Sequence, residues 1–159
     1  MYQNFSEFLQ NKSKICVIQA ENPDGDSLGS SLALEALLED KEVSLYCPVN
    51  VPKYLRYFSG WERIDQNFDY HADGYIIVDT AATILLSKLL DDLVIRNILY
   101  TKPIFVIDHH ETADDLDFSH QSVIEHLPSC TNLIYKIAID QNIKINQSAA
   151  ENIFQGLLS

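Results

Sequence analysis

Three apolar runs in this sequence are each followed at once by acidic residues or histidines. They are "KICVIQA" at residues 14–20, "GYIIVD" at 74–79 and "KPIFVIDHH" at 102–110. Each run has the length and apolar character of a strand buried on both faces. Helical periodicity follows the first run, in "SLGSSLALEALLED" at residues 27–40. Strands that alternate with helices predict an α/β fold, with a mostly parallel sheet flanked by helices.

The remaining segments fit the same architecture. We expect a further strand at residues 42–47, and an edge strand at 121–126. Residues 82–99 are mostly helical in period, although 93–98 are ambiguous between helix and strand. A short helix is predicted over 2–11 and another over 53–58, and two helices are expected to close the chain at 131–142 and 146–158. The 159 residues are enough for one domain.

The charge and hydropathy of the chain limit the kinds of partner that it can bind. The net charge is −12, with 11 Lys and Arg against 23 Asp and Glu, and no basic stripe that would grip long DNA is present. An acidic chain still binds a small anion if divalent cations supply the positive charge. No apolar run approaches the ~20 residues of a membrane span, and the N-terminus lacks a signal-peptide core, so a cytoplasmic location without membrane partners is expected. The three cysteines lack zinc spacing and are expected to be reduced core residues.

The polar residues that follow the apolar runs are candidates for one site. Parallel strands bring their carboxyl ends to the same edge of the sheet, where ligands of open α/β sheets bind. Taken singly, each residue has an ordinary explanation as a turn, a helix cap or a packed histidine. Together, several carboxylates would repel one another unless a cation neutralised them, and carboxylates with imidazole suit Mn²⁺ or Mg²⁺. The candidates are Asp24, Asp26, Asp79, Asp108, His109 and His110.

These motifs resemble the DHH phosphoesterase superfamily. The resemblance rests on "NPDGDSLGSSLAL", the "VD" that ends at Asp79 and "VIDHH" at residues 106–110, in that order. The later "SCTNLIYKIAI" is similar to the Ser/Thr-rich stretch and helix that follow in small bacterial members. The resemblance implies a Rossmann-like domain that hydrolyses phosphate esters with two bound ions, Mn²⁺ first and Mg²⁺ as an alternative.

The resemblance also implies roles for individual residues. Asp24 would bind the first metal, Asp26 and His109 the second, and Asp79 would bridge the two. Asp108 would orient the imidazole of His109.

Three further residues would contact the substrate. His110 would face the substrate phosphate, and we count it with Asp108 as a catalytic candidate. Gly29 and Ser30 would open a helix whose free N–H groups favour the phosphate.

Two departures from the family pattern affect these expectations. The family has a metal-binding histidine where this chain has Ala20, and the neighbouring Glu21 would point to the opposite face of a strand. The chain also ends at Ser159, before the expected aspartate-threonine pair and a second, substrate-binding domain. We therefore interpret residues 1–159 as one DHH-type domain, incomplete at its C-terminus, and expect little or no activity from it alone.

The expected function is hydrolysis of short oligoribonucleotides, 3′-phosphoadenosine 5′-phosphate or cyclic dinucleotides in the full-length parent. One alternative is a degenerate domain that binds a nucleotide or a partner without hydrolysis. Another is an inorganic pyrophosphatase of the same superfamily. A phosphatase of the haloacid dehalogenase class is disfavoured because "ENP" separates the strand from "DGDSL". A homodimer is left open.

Overall fold

A computed structural model describes all residues from Met1 to Ser159 and shows an α/β fold with six parallel strands. The strands are β1 (Lys14–Ile18), β2 (Glu42–Tyr46), β3 (Ile64–Asp65), β4 (Gly74–Val78), β5 (Ile104–Asp108) and β6 (Gln121–Ile124). The α-helices are α1 (Gln3–Leu9), α2 (Gly25–Leu37), α3 (Ser87–Leu90), α4 (Leu93–Thr101), α5 (Cys130–Asp140) and α6 (Gln147–Leu158). Short 3₁₀ helices lie at Lys53–Leu55, Trp61–Arg63 and Thr83–Leu86.

The strand order is β3-β2-β1-β4-β5-β6, and every neighbouring pair is parallel. This is the doubly wound order of a Rossmann fold, in which the chain reverses direction across the sheet between β1 and β4. The predicted fold class is therefore confirmed, and the sheet is parallel throughout rather than mostly so. The predicted edge strand is also confirmed as β6.

Alternating side chains of the central strands feed two apolar cores. Ile15 and Val17 of β1 pack in the core that α1, α2, α5 and α6 cover. Cys16 and Ile18 pack in the opposite core, which α3 and α4 cover. Because both faces of the central strands are buried, their sequences are apolar without interruption.

The boundaries differ from the sequence-based expectations in a few places. Helix α2 begins at Gly25, two residues before the periodic apolar pattern, because Asp24 caps it. The ambiguous residues 93–98 are helical, as the first part of α4. The two-residue strand β3 was not predicted, since it is too short to show a period. No helix combines the length and the apolar character that a membrane crossing requires.

Candidate metal centre

The candidate site lies at the carboxyl ends of β1, β4 and β5. The register pairs Ile18 with Ile77 and Val78 with Ile107, so the residues that follow the three strands emerge side by side. The edge lies at the switch point between β1 and β4, where ligands bind in doubly wound sheets. The expectation that the three strand ends converge is confirmed.

His109 is the centre of this cluster. Its Nε2 atom lies 3.1 Å from Oδ1 of Asp79 and 3.2 Å from Oδ2 of Asp26. Its Nδ1 atom lies 2.8 Å from the carbonyl oxygen of Leu127, which can only accept a hydrogen bond. Nδ1 therefore carries the proton of the neutral ring, and Nε2 presents a lone pair towards the two carboxylates. That tautomer is the one a metal ligand needs.

Asp26 is held by the start of α5. Its Oδ2 accepts a 2.8 Å hydrogen bond from the backbone N–H of Cys130, and Oδ1 accepts a 3.0 Å bond from Thr131. Ser129 caps the same helix and accepts from Asn132. The two backbone bonds fix the carboxylate although Asp26 lies on a different helix, and each oxygen keeps a lone pair for another partner.

Asp79 is the most constrained residue of the cluster. Its backbone lies in the left-handed region, with φ of 64°, a conformation that a non-glycine residue adopts rarely and often at functional sites. The residue is 8% exposed, and its buried Oδ1 has no polar neighbour within hydrogen-bonding distance except Nε2 of His109. Burial, more than the neighbouring carboxylates, raises the pKa of Asp79 to about 8. The contact with Asp79, supported by the Leu127 carbonyl, raises the pKa of His109 to about 9.

Asp108 has a different position from the one expected. It accepts from Nδ1 of His110 at 2.6 Å and from the backbone N–H of His109 at 2.9 Å. It therefore orients the ring of His110, while the carbonyl of Leu127 orients the ring of His109. This exchange of partners could not be predicted from residue types, since the backbone carbonyl that orients His109 can belong to any residue.

Asp24 acts as the N-cap of α2. Its Oδ1 accepts a 2.9 Å bond from the backbone N–H of Ser27, and the Ser27 hydroxyl accepts one from the Asp24 N–H at 3.0 Å. The side chain is exposed, unlike those of Asp26 and Asp79. The cap explains the position of Asp24 without a metal.

Gly29 and Ser30 do not open the helix, and that part of the prediction is wrong. Because α2 begins at Gly25, both lie inside it, and their N–H groups are no longer free for a phosphate. Gly29 instead lets α6 approach closely. A Cβ atom there would come within 2.8 Å of the Asn152 carbonyl oxygen and 3.0 Å of the Gly156 Cα. Ser30 is fully buried.

An open cavity of about 550 Å³ adjoins the cluster. It is large enough for a small ligand. His126 lies in its wall, with its Nε2 3.2 Å from Oε1 of Glu111. No motif marks either residue, so only the fold brings them to the site. The lining residues are His109, His110, Glu111, His126, Leu127 and Pro128.

The donor set fits a divalent cation. One donor atom each from Asp79, His109 and His110 lies within 4.8 Å of the others, and Asp26 completes a second overlapping group around His109 Nε2. Adjacent ligands of an octahedral ion with ~2.1 Å bonds are about 3 Å apart, which matches the contacts of His109 Nε2. A buried carboxylate oxygen without a donor is the atom that such an ion would satisfy.

Comparison with known proteins agrees with the motifs. The sequence profile described as DHH family, N-terminal domain, matches residues 14–158. No curated protein matches the sequence significantly.

Two solved structures are similar to this chain. One is an exopolyphosphatase-related protein from Bacteroides fragilis, with 25% identity and a TM-score of 0.85, covering 98% of this chain and 48% of that protein. The other is a putative family II inorganic pyrophosphatase from Methanococcus jannaschii, with 18% identity and a TM-score of 0.64, covering 91% and 48%. The chain therefore spans about half the length of these structures, and the second likeness concerns the fold alone.

Proposed function

Because this chain belongs to the DHH family, we propose that it is the metal-binding domain of a phosphoesterase. The observation that carries the proposal is the buried carboxylate oxygen of Asp79, whose one close polar neighbour is Nε2 of His109, the ring nitrogen that carries no proton in the neutral tautomer. Two lone pairs directed at each other are unfavourable unless a cation or a proton lies with them. The adjoining cavity supplies room for a substrate.

The residues divide the work as follows. Asp26, Asp79 and His109 would hold a divalent cation, which when bound activates water and neutralises charge on the phosphate. His110 lines the cavity, and its Nδ1 atom is hydrogen-bonded to Asp108. This contact with Asp108 fixes the orientation of the His110 ring at the cavity, where it would contact a phosphate oxygen of the substrate. Without a cation, the acidic charge of the chain would disfavour an anionic substrate.

The substrate we propose is a short nucleotide, either an oligoribonucleotide, 3′-phosphoadenosine 5′-phosphate or a cyclic dinucleotide. The metal we propose is Mn²⁺, with Mg²⁺ as the alternative. The lack of a basic stripe in the sequence supports a small substrate over long DNA. We also propose that the protein acts in the cytoplasm and that it can form a homodimer.

A second candidate is hydrolysis of a phosphoanhydride. It is favoured by the descriptions of the two similar structures, as an exopolyphosphatase-related protein and a putative pyrophosphatase. A third candidate is binding without hydrolysis. It is favoured by Ala20, which offers no ligand at the position where the family has a histidine.

The test uses the complete gene product that contains these residues. It is assayed with Mn²⁺ and with Mg²⁺ on a short oligoribonucleotide, 3′-phosphoadenosine 5′-phosphate, a cyclic dinucleotide, pyrophosphate and polyphosphate. We expect Mn²⁺-dependent cleavage of at least one nucleotide. Preference for pyrophosphate or polyphosphate would favour the second candidate, and metal binding without turnover would favour the third.

A matched pair of variants ties the activity to the site. Asp79→Asn keeps the shape of the side chain and removes its charge, so it should lower turnover by about 100-fold or more. Asp117→Asn makes the same change at an exposed position where the carboxylate accepts a hydrogen bond from Tyr100, and it should leave turnover unchanged. Equal effects of the two variants would contradict the proposed site.

A further inference from the structure

We propose that this chain holds a single divalent cation, bound by Asp26, Asp79 and His109, where the family resemblance implies two. The inference rests on the proposed function, because it concerns the same cleft. It follows from a difference between two groups of side chains at the carboxyl edge of the sheet. Asp26, Asp79 and His109 converge on one point. Glu21 and Asp24 instead accept hydrogen bonds from the starts of nearby helices.

The convergent group has the contacts of one coordination site. The Nε2 atom of His109 lies 3.1 Å from Asp79 and 3.2 Å from Asp26, the spacing of neighbouring ligands on one ion. Asp79 is more than nine-tenths buried, and its Oδ1 lacks a donor. The carboxylate of Asp26 is already fixed by two backbone N–H groups. Little reorganisation is needed for these three side chains to bind a cation.

The residues of the expected first site do not form such a group. Asp24 is exposed, and one of its oxygens accepts the N–H of Ser27 as the cap of α2. A lone exposed carboxylate with one oxygen in use is a weak ligand for a divalent ion.

No neighbour supplies the missing donors. Ala20 is 5% exposed and has no ligand atom on its side chain. The carboxylate of Glu21 accepts from the hydroxyl of Ser87 and the backbone N–H of Lys88, where it supports α3. The carboxylate of Glu21, next to the position of the missing histidine, is therefore engaged in local structure.

The experiment counts ions on the 159-residue chain. Calorimetric titration with Mn²⁺ should give one ion per chain. The electron paramagnetic resonance spectrum of the loaded chain should be that of isolated Mn²⁺, without the exchange coupling of two ions ~3.5–4 Å apart. Both readouts are independent of catalytic activity.

Two isosteric variants separate the groups. Asp26→Asn should weaken Mn²⁺ binding by more than the ~10–100-fold typical of residues that only support a metal ligand. Asp24→Asn should leave the affinity within about twofold of the parent, since asparagine caps a helix as well as aspartate does. Circular dichroism spectra of both variants check that the fold is intact.

Each alternative result is informative. Two bound ions, or an exchange-coupled spectrum, would overturn the single-ion inference while the proposed function stands. Equal loss of affinity in Asp24→Asn and Asp26→Asn would also overturn it. A parent chain that binds no Mn²⁺ at all would overturn this inference and the metal dependence of the proposed function together.

Discussion

The two sides of the cleft use the same kind of side chain in opposite ways. After β4, Asp79 is buried, and its Oδ1 has no polar neighbour except Nε2 of the half-buried His109 that follows β5. In the loop after β1, Glu21 and Asp24 accept hydrogen bonds from nearby helix starts. Without a cation, the buried carboxylate of Asp79 costs stability once it loses its proton, whereas Glu21 and Asp24 stabilise the helix starts that they contact.

This contrast gives a criterion for telling a ligand from a cap. A carboxylate whose oxygens accept local N–H groups contributes to folding and needs no ion. A buried carboxylate without a donor is retained against its cost in stability, which points to function. Asp26 falls between the two, because its backbone partners position it and still leave lone pairs free.

The largest effect is expected from adding a metal ligand at position 20, on the side of the cleft that follows β1. Ala20→His in the complete gene product should raise the number of bound Mn²⁺ ions from one to two. It should also raise Mn²⁺-dependent turnover by about tenfold or more, because two ions stabilise both the attacking and the leaving oxygens. Calorimetric titration and steady-state rates measure the two effects.

Ala20→Leu is the matched control. It adds comparable bulk at this buried position without a ligand atom, so it should add no ion and no activity. If Ala20→His and Ala20→Leu bind the same number of Mn²⁺ ions and have the same turnover, a side chain at position 20 cannot reach a metal ion in this chain. The explanation based on the missing histidine would then be wrong.

The next effect concerns stability without metal, and its sign depends on pH. Burial holds the folded pKa of Asp79 near 8, well above the ordinary value of ~3.9. The folded chain then binds a proton that the unfolded chain releases, so stability falls as pH rises from ~4 towards 8. The contact with Asp79 also raises the pKa of His109 to about 9, so the two groups titrate as a pair and the loss of stability continues as pH rises towards 9.

Asp79→Asn should therefore stabilise the metal-free chain at pH 9. We expect a gain of about 1–3 kcal/mol in the free energy of unfolding, the usual cost of a buried group without a partner. Asparagine also tolerates the left-handed backbone at this position. Urea denaturation at pH 6 and pH 9 measures the gain, which should shrink at the lower pH. Saturating divalent cation should reverse the order, and a variant less stable than the parent at both pH values would contradict this account.

Much of this arrangement could be predicted from the sequence, for reasons visible in particular residues. Continuous apolar runs identified β1, β4 and β5 because strands buried on both faces leave no polar gaps. The positions of Asp79 and His109 then followed from parallel strands that end at one edge.

The rest depended on contacts that no residue pattern records. The carbonyl of Leu127, which orients His109, belongs to the backbone and could be any residue. The partner of Asp108 was assigned to the wrong histidine because adjacent residues share the motif. Gly29 lies in a helix crossing whose other half, around Gly156, is far away in the chain.

A third, smaller effect tests the structural role of Gly29. Alanine would improve the intrinsic helix propensity of α2 by ~1 kcal/mol. Its Cβ atom would however lie 2.8 Å from the backbone oxygen of Asn152, so α6 would have to shift, and overpacking typically costs ~1–3 kcal/mol. We expect Gly29→Ala to lower the free energy of unfolding by about 1–2 kcal/mol in urea denaturation.

Gly25→Ala is the comparison for this variant. Its Cβ atom would meet the Oγ and Cβ atoms of Ser159, so this one residue after α6 would have to shift, rather than the crossing of α2 and α6. Its cost should be smaller than that of Gly29→Ala. A Gly29→Ala variant with normal stability and weakened substrate binding would instead revive the phosphate-binding role.

The smallest effect separates capping from charge at Asp24. Asp24→Ala removes the acceptor for the Ser27 N–H and should cost about 0.5–2 kcal/mol. Asp24→Asn keeps that acceptor and loses only the attraction between a negative charge and the start of α2, which is worth ~0.3–1 kcal/mol at an exposed site and is screened by salt. The two variants should therefore differ in their urea midpoints with unchanged slopes, and added salt should narrow the small gap between Asp24→Asn and the parent. If Asp24→Asn lowers the free energy of unfolding as much as Asp24→Ala does, the negative charge of Asp24 matters more than its capping hydrogen bond. The distinction between Asp24 as a cap and Asp79 as a ligand would then fail.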